Sequence, residues 1–412
     1  MSTFICLFLA VFLGCATPER QEPEPKATRA FRGLWVTRYD FQTPADVRRA
    51  VSEAAQAGFT DILWQVRGQG DAFYASEIEP WGLELLRDLP PGTEAATFDP
   101  LALAVAETHA KGLRIHAWVN VMPLWKGTVP PKNPRHPFNA HPEWRLQDSN
   151  GKPQPLNDHY VIVNPVLEEV HEYIAGVFAD IAGRYEIDGL HMDYVRFVSE
   201  KMDAATVYPG DRQSLTLFEQ ATGHASVDSP DDRAEFADWK RSRITDLVRR
   251  IGTECKAARS GMEISAAVWR RPELGRDTYL QDGAVWLKEG LIDRALPMIY
   301  TDKDAQFESD LAAWRQAAGD RPLSPGLGIY MQQPDQSVRQ IEMTRTGSET
   351  PSSFALFAYN SLFESCDPNQ RKDEKSIAER MLRRRAITES MKAEFDAERL
   401  RAGAETPSEE SK

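Results

Sequence analysis

The chain has 412 residues, and its 62 Asp and Glu against 49 Lys and Arg leave a formal net charge of −13. That length suits one large α/β domain or two average ones. The acidic balance argues against a nucleic-acid partner, because phosphate attraction needs clustered Lys and Arg, and the longest basic run, Arg383-Arg384-Arg385, reads as a solvated helix face.

Taken in chain order, the first segment is almost wholly apolar from Phe4 to Leu13 and is followed at once by Gly14-Cys15-Ala16. The run is below the roughly 17 to 25 residues needed to span a bilayer. It resembles instead the signal peptide and lipobox of a bacterial lipoprotein, residues 1–15, with Cys15 lipidated after cleavage. Residues 16–30, with Pro18, Pro23, Pro25 and several charges, read as a flexible tether. The expected location is therefore the bacterial cell envelope, with membrane contact through a lipid anchor only.

From 31 to 365 one theme repeats: a short apolar strand, a polar loop, then a pattern of helical period. Eight strands are predicted, at Leu34 to Thr37, Ile62 to Arg67, Ile115 to Asn120, Gly189 to Asp193, Ile264 to Trp269, Ala295 to Tyr300, Gly326 to Tyr330 and Ala355 to Tyr359. Helical patterns such as Ala45 to Ala57 and Leu101 to Lys111 lie between them, closed by Gly58 and Gly112. Such regular alternation implies parallel pairing with right-handed crossovers. Eight units in one run, with no Gly-x-Gly-x-x-Gly after the first strand, predict a single (β/α)8 TIM barrel over 31–365. Two loops, of about 40 residues after strand three and about 30 after strand four, exceed what a barrel needs and are expected to shape a cleft. Residues 366–412 read as a charged helical segment and a disordered tail. Cys255 and Cys366 lack the spacing of a zinc site and read as ordinary buried thiols, and neither a metal nor a cofactor is expected.

In a barrel strand, alternate side chains face inward, and polar inward residues at the carboxyl end sit where active sites form. Strand four, Gly189-Leu190-His191-Met192-Asp193, then turns His191 and Asp193 inward and runs on into Tyr194 and Arg196. The same parity brings Gln65, Arg67, Trp118, Asn120, Trp269, Tyr300 and Tyr330 to the rim. Amides, hydroxyls, cations and aromatic rings suit a sugar, whose hydroxyls take directional hydrogen bonds while its C–H faces stack on rings. Trp125 and Trp144 in the long loop would extend that floor. Asp193 is the first catalytic candidate, with Arg196 or Arg67 as a cation that keeps it charged. Glycosidic cleavage usually needs a second carboxyl. Asp302, Glu273 and Asp71 each follow a strand end, and Asp302 ranks first because it continues the parity of Tyr300. A histidine inside a barrel strand is more often a hydrogen-bonded core residue than a base, which bears on His191.

Several segments also resemble, in order, the glycosyl hydrolase-like 10 family of bacterial envelope proteins: Arg32-Gly33-Leu34-Trp35-Val36, Gln65-Val66-Arg67, Gly70-Asp71-Ala72-Phe73-Tyr74, Glu79-Pro80-Trp81, His116-Ala117-Trp118-Val119-Asn120, His141-Pro142-Glu143-Trp144, Asn164-Pro165, Asp188 to Tyr194, and Pro297-Met298-Ile299-Tyr300. The resemblance implies a TIM-barrel glycoside hydrolase acting on a polysaccharide, with peptidoglycan strands lacking stem peptides the leading substrate. Chitinase-like barrels also carry Asp-Gly-x-x-x-Asp, but the acid they place two residues further on is here Val195, which argues against that mechanism. The alternative from another class is a non-catalytic carbohydrate-binding barrel.

The lipobox reading makes a direct prediction: Cys15→Ser leaves the protein without its lipid and shifts it from the membrane to the soluble fraction. An unchanged membrane fraction on cell fractionation would count against it.

Overall fold

The computed structural model describes residues 30–197, 206–345 and 352–404. Among these, eight parallel strands close into a barrel: β1 (Arg32–Val36), β2 (Asp61–Arg67), β3 (Arg114–Asn120), β4 (Gly189–Asp193), β5 (Glu263–Trp269), β6 (Arg294–Met298), β7 (Gly326–Leu327) and β8 (Phe354–Leu356). Neighbours in the barrel are neighbours in sequence, and β8 pairs with β1 through Arg32 opposite Phe354. The fold class predicted from sequence is therefore the one observed. The signal segment, Cys15 and the tether to residue 29 lie outside the described residues, as do residues 198–205 of the second long loop and the last eight of the tail.

The alternation that defines the staves has a direct physical readout. Phe31, Trp35, Leu63, Trp118, Leu296 and Ala355 form one apolar cluster inside the barrel, while Leu34, Ile62, Trp64, Val66 and Leu190 join the layer between strands and helices. The interior is filled by alternating bulk and void. A Cβ on Gly189 would lie 2.3 Å from the His116 ring, and one on Gly326 would lie 2.9 Å from that of Trp35. Helix Pro44–Ala57 starts on a Thr43 capping box and ends on Gly58 at φ 90°, and helix Pro100–Ala110 starts on Asp99, whose carboxylate accepts the N–H groups of Leu101 and Ala102.

Three strands are shorter than their apolar patterns. β6 stops at Met298, β7 gives way to a 3-10 turn at Ile329–Met331, and β8 ends at Leu356, so Tyr300, Tyr330 and Phe357 stand above the staves. The insertion after β3 folds into a small antiparallel pair, Pro123–Lys126 with Tyr160–Ile162. The one after β4 includes a helix, Arg212–Thr222, ahead of the long helix Pro230–Ala258.

The charged segment beyond residue 365 docks on the barrel. Its helix, Glu374–Ala404, buries Ile387 and Met391, and the Glu394 carboxylate accepts the Ser352 N–H at 2.6 Å and lies 3.4 Å from Arg32 Nη2 of β1. Arg383 is buried, which corrects the reading of its basic run as wholly solvated. Cys255 is buried as expected, but Cys366 is only half-buried, and both thiols are free.

At the top of β2, Arg67 is buried and donates from Nε to both oxygens of Glu79, at 2.9 and 3.0 Å. Its Nη1 donates to the carbonyls of Asn120, Val121 (3.2 Å) and Pro123 (3.3 Å), and Tyr173 donates its hydroxyl to Glu79. Removing one member of a buried pair leaves the other charge uncompensated, at a cost of about 3 to 5 kcal/mol. Arg67→Met is expected to lose stability on that scale in urea denaturation, with the Arg67→Met/Glu79→Gln double variant less destabilised than the sum of the singles. Strict additivity would show that the pair acts as two independent groups.

Candidate functional site

β4 delivers Asp193 to the open end of the barrel, opposite Asn120 of β3. Its carboxyl is buried and accepts the Tyr194 N–H at 2.6 Å, with Arg196 Nη1 at 3.4 Å on the same oxygen. Tyr194 occupies the left-handed region, at φ 51°, which is uncommon for a bulky residue and turns its N–H back onto the preceding side chain. Burial pushes the Asp193 carboxyl above the ordinary carboxylate range, opposed by Arg196 and the Tyr194 N–H. The Trp118 indole N–H also favours the charge from nearby, without closing a hydrogen bond of good geometry.

One wall of the site is aromatic. Tyr300 stacks on Phe357, with ring centroids 5.5 Å apart, and Tyr330 meets both edge-on at 6.4 and 6.3 Å. Phe357 also touches Trp35 and Trp118 inside the barrel, at 6.0 and 6.4 Å. Tyr330 is 56% exposed, so the wall opens to solvent. The Tyr300 hydroxyl is pushed well above its usual range by burial, then by the negative charge of Asp193, so it stays protonated as a donor near that carboxyl. At the end of β5 Trp269 stacks on Tyr279 at 3.9 Å, and the Arg196 guanidinium lies 4.0 Å over the Tyr194 ring and 5.5 Å from that of Trp269.

A second wall is polar. Arg38, directly after β1, donates from Nε to Glu84 at 3.0 Å, from Nη2 to the Tyr39 hydroxyl at 2.7 Å, and reaches the Tyr160 hydroxyl at 3.4 Å. The Tyr160 ring in turn meets Tyr194 edge-on at 5.2 Å, joining this wall to Asp193. Burial raises the Glu84 carboxyl above its usual range against the pull of Arg38, and burial lifts Tyr39 to about 12.

The residues singled out from sequence fall into two groups. Asp193, Tyr194, Arg196, Trp118, Trp269, Tyr300 and Tyr330 are linked by the contacts just described. Asn120 adjoins them, with Nδ2 donating to the Gly68 carbonyl at 3.1 Å and Oδ1 buried without a hydrogen-bond partner among the described residues. Arg67 and His191 are corrections, since neither reaches a cleft: a register shift after Gln65 sets Arg67 beside Val119, on the helix-facing side of the sheet, while His191 faces inward. The cation of Arg67 is held by Glu79 and three carbonyls. His191 is fully buried and neutral, its pKa driven well below the usual value by burial. Its Nε2 accepts from the Trp35 indole at 3.2 Å, which leaves Nδ1 as the donor to Ser265 Oγ at 2.9 Å.

Trp125 and Trp144 are likewise buried in the folded insertion, the first donating to the Val129 carbonyl and the second stacked on His141 at 3.7 Å. Among the carboxyls proposed as partner, Asp71 is buried and accepts the Gly68 and Gln69 N–H groups, a loop-capping role. Glu273 is exposed in the first turn of helix Pro272–Tyr279, 3.7 Å from Arg271. Asp302 is exposed two residues beyond Tyr300. Phe357, Arg38, Tyr39, Glu84 and Tyr160 were missed. Parity along strand eight, continued from Ala355, points Phe357 inward, and Arg38-Tyr39 follow a strand end. Glu84 and Tyr160 carry no comparable signal.

A family model described as Glycosyl hydrolase-like 10 matches residues 30–346. The chain is 26% identical over 336 residues to Glycosyl hydrolase DigH of Escherichia coli (strain K12), covering 70% of each, and 25% identical over 330 residues to Glycosyl hydrolase YngK of Bacillus subtilis (strain 168), covering 72% of this chain and 59% of the relative. Among solved structures, α-L-fucosidase isoenzyme 2 from Paenibacillus thiaminolyticus superposes with TM-score 0.59 at 12% identity, over 90% of this chain and 50% of that one. The catalytic domain of β-amylase from Paenibacillus polymyxa gives 0.55 at 11%, over 85% and 97%. At these identities the structural likeness speaks to the fold.

Because the native Asp193 carboxyl titrates above its unfolded value, its favourable contribution is complete below the unfolded pKa and is lost as pH rises through the native one. Asp193→Asn is therefore expected to be more stable than the parent at pH 7 and to lose that advantage below about pH 4. Thermal denaturation across this range checks it, and a variant less stable at pH 7 would reverse the assigned sign.

Proposed function

We propose, from the premise that the chain belongs to the glycosyl hydrolase-like 10 family and is a glycoside hydrolase, that its substrate is a bacterial glycan, peptidoglycan strands lacking stem peptides foremost, cleaved in the cell envelope by a lipid-tethered enzyme. The observation that carries this reading is a buried carboxyl of raised proton affinity, Asp193, beside a wall of Tyr300, Tyr330 and Phe357. A glycan strand free of peptide offers pyranose faces to the rings, and its hydroxyl and acetamido groups can reach Tyr300, Asn120 and Arg196. The envelope location rests on the apolar run before Cys15.

In the proposed chemistry Asp193 is the general acid. Its proton passes to the glycosidic oxygen as the bond to the anomeric carbon breaks, and burial suits it by keeping that proton on the acid. Asp302 is the proposed partner, as nucleophile or as base for the attacking water, since Glu273 is paired with Arg271 and Asp71 caps its own loop. Arg196 and the Tyr194 N–H then receive the carboxylate that the acid leaves behind.

Incubation of the purified protein with denuded and intact peptidoglycan, read by mass spectrometry, tests the substrate. Products from the denuded strands are expected, and none from either material would remove this substrate class. Asp193→Asn is expected to lower turnover by a factor on the order of 10² to 10⁴, and Asp302→Ala by a comparable factor, with Glu273→Ala near the parent. Full activity in a folded Asp302→Ala variant would move the second carboxyl elsewhere, or hand the nucleophile's part to the substrate's own acetamido group.

A further inference from the structure

The three rings of the aromatic wall stand on three separate loops. Tyr300 follows β6, Tyr330 lies in the 3-10 turn after β7, and Phe357 follows β8. The short strands below them supply little stiffness: β7 has two residues and β8 three. Contacts from outside the barrel also reach these loops.

Arg383, on the C-terminal helix Glu374–Ala404, is 9% exposed and reaches two of these loops at once. Its Nη1 donates to the Ser361 carbonyl at 3.1 Å, and its Nη2 to the Gln332 carbonyl at 3.0 Å. Ser361 closes the turn after Phe357, its N–H donating to the Ala358 carbonyl at 2.9 Å. Gln332 ends the turn that carries Tyr330, its N–H donating to the Ile329 carbonyl at 3.3 Å. The fully buried Gln332 side chain then bridges to the third loop: Nε2 donates to the Thr301 carbonyl at 3.0 Å, one residue beyond Tyr300, and Oε1 accepts from Ser337 Oγ at 3.0 Å. A rigid guanidinium fork on a helix is well suited to fix two carbonyls in one plane. The geometry points to Arg383 as a positioning residue that, through Gln332 and Ser361, sets the spacing of Tyr300, Tyr330 and Phe357 for stacking on a sugar ring of the glycan.

This inference rests on the glycan reading of the wall, and the test keeps the two separate. Arg383→Gln, Arg383→Lys, Tyr330→Ala and the double variant Arg383→Gln/Tyr330→Ala are assayed as full-length protein on denuded glycan strands. Arg385→Gln serves as control, since Arg385 is exposed and, among the described residues, pairs with Glu389 at 2.8 Å on the same helix. Arg383→Gln is expected to raise KM roughly fivefold with kcat within about twofold, the pattern of lost binding. Arg383→Lys should restore part of the loss, and Arg385→Gln should match the parent.

The double variant carries the decision. If Arg383 acts through the wall, its effect largely vanishes once Tyr330 is gone, so the two KM effects are non-additive. Additive effects, or an unchanged KM in Arg383→Gln, overturn the positioning role while leaving the wall intact. An unchanged KM in Tyr330→Ala instead overturns the glycan wall itself. Should Arg383→Gln fold poorly, amide hydrogen exchange of Arg383→Lys decides: faster exchange at the amides of Gln332 and Ser361 is expected, and parent-like protection there overturns the proposal.

Discussion

The buried pair of Arg67 and Glu79 is the constraint on which the open end of the barrel depends. A guanidinium cannot be left bare in an apolar interior, so wherever Arg67 goes a carboxylate and several carbonyls must follow. Those carbonyls belong to Asn120, Val121 and Pro123, the stretch where β3 leaves the barrel and the long insertion begins. The Val121 N–H donates to the Asp193 carbonyl at 2.8 Å, and that of Met122 to the Tyr194 carbonyl at 3.3 Å. One ion pair therefore sets the backbone that in turn fixes the end of β4. The same cation holds Glu79, and with it the segment leading to Glu84 on the polar wall.

The site itself works against folding. Asp193 is buried beside the Arg196 cation and has its proton affinity raised, Tyr194 sits in a backbone region that disfavours its side chain, and Asn120 keeps a buried oxygen without a hydrogen-bond partner among the described residues. Each of these costs free energy in the unliganded protein, and each presents a polar group where a ligand can satisfy it. The neutral pair of Trp35 and His191 beneath Asp193 does the opposite. Its hydrogen bonds are complete and its charge is suppressed, so the floor is inert while the rim is poised.

The strand count, the parallel order and Asp193 were legible in the sequence because apolar alternation has only one way to satisfy a closed barrel. Parity also turned Trp118 and Trp269, which lie on strands, to the inner side of the sheet, whereas Tyr300 lies beyond the end of β6. It failed at Arg67 because a register shift after Gln65 carries that residue to the side of Val119, and at His191 because facing inward says nothing about what lies above, where a neighbouring indole seals the ring off. It failed again at Arg383, where a run of three arginines looked like solvent-facing charge. Burial there depends on a carbonyl pair contributed 51 and 22 residues away, and no local pattern announces that. The polar wall was invisible for a similar cause, since Arg38, Glu84 and Tyr160 converge only after the insertion has folded back.

The pairing of β1 with β8 has a consequence for how the molecule comes into being. Arg32 and Phe354 are partners across 322 residues, so the first stave made is the last to be completed. Until β8 is in place, β1 waits for its second neighbour. Through that interval one edge of β1 offers unpaired backbone groups to any strand that passes. Arg32, a cation at the start of that edge whose eventual partner Glu394 arrives later still, is well placed to keep strangers off until the barrel closes.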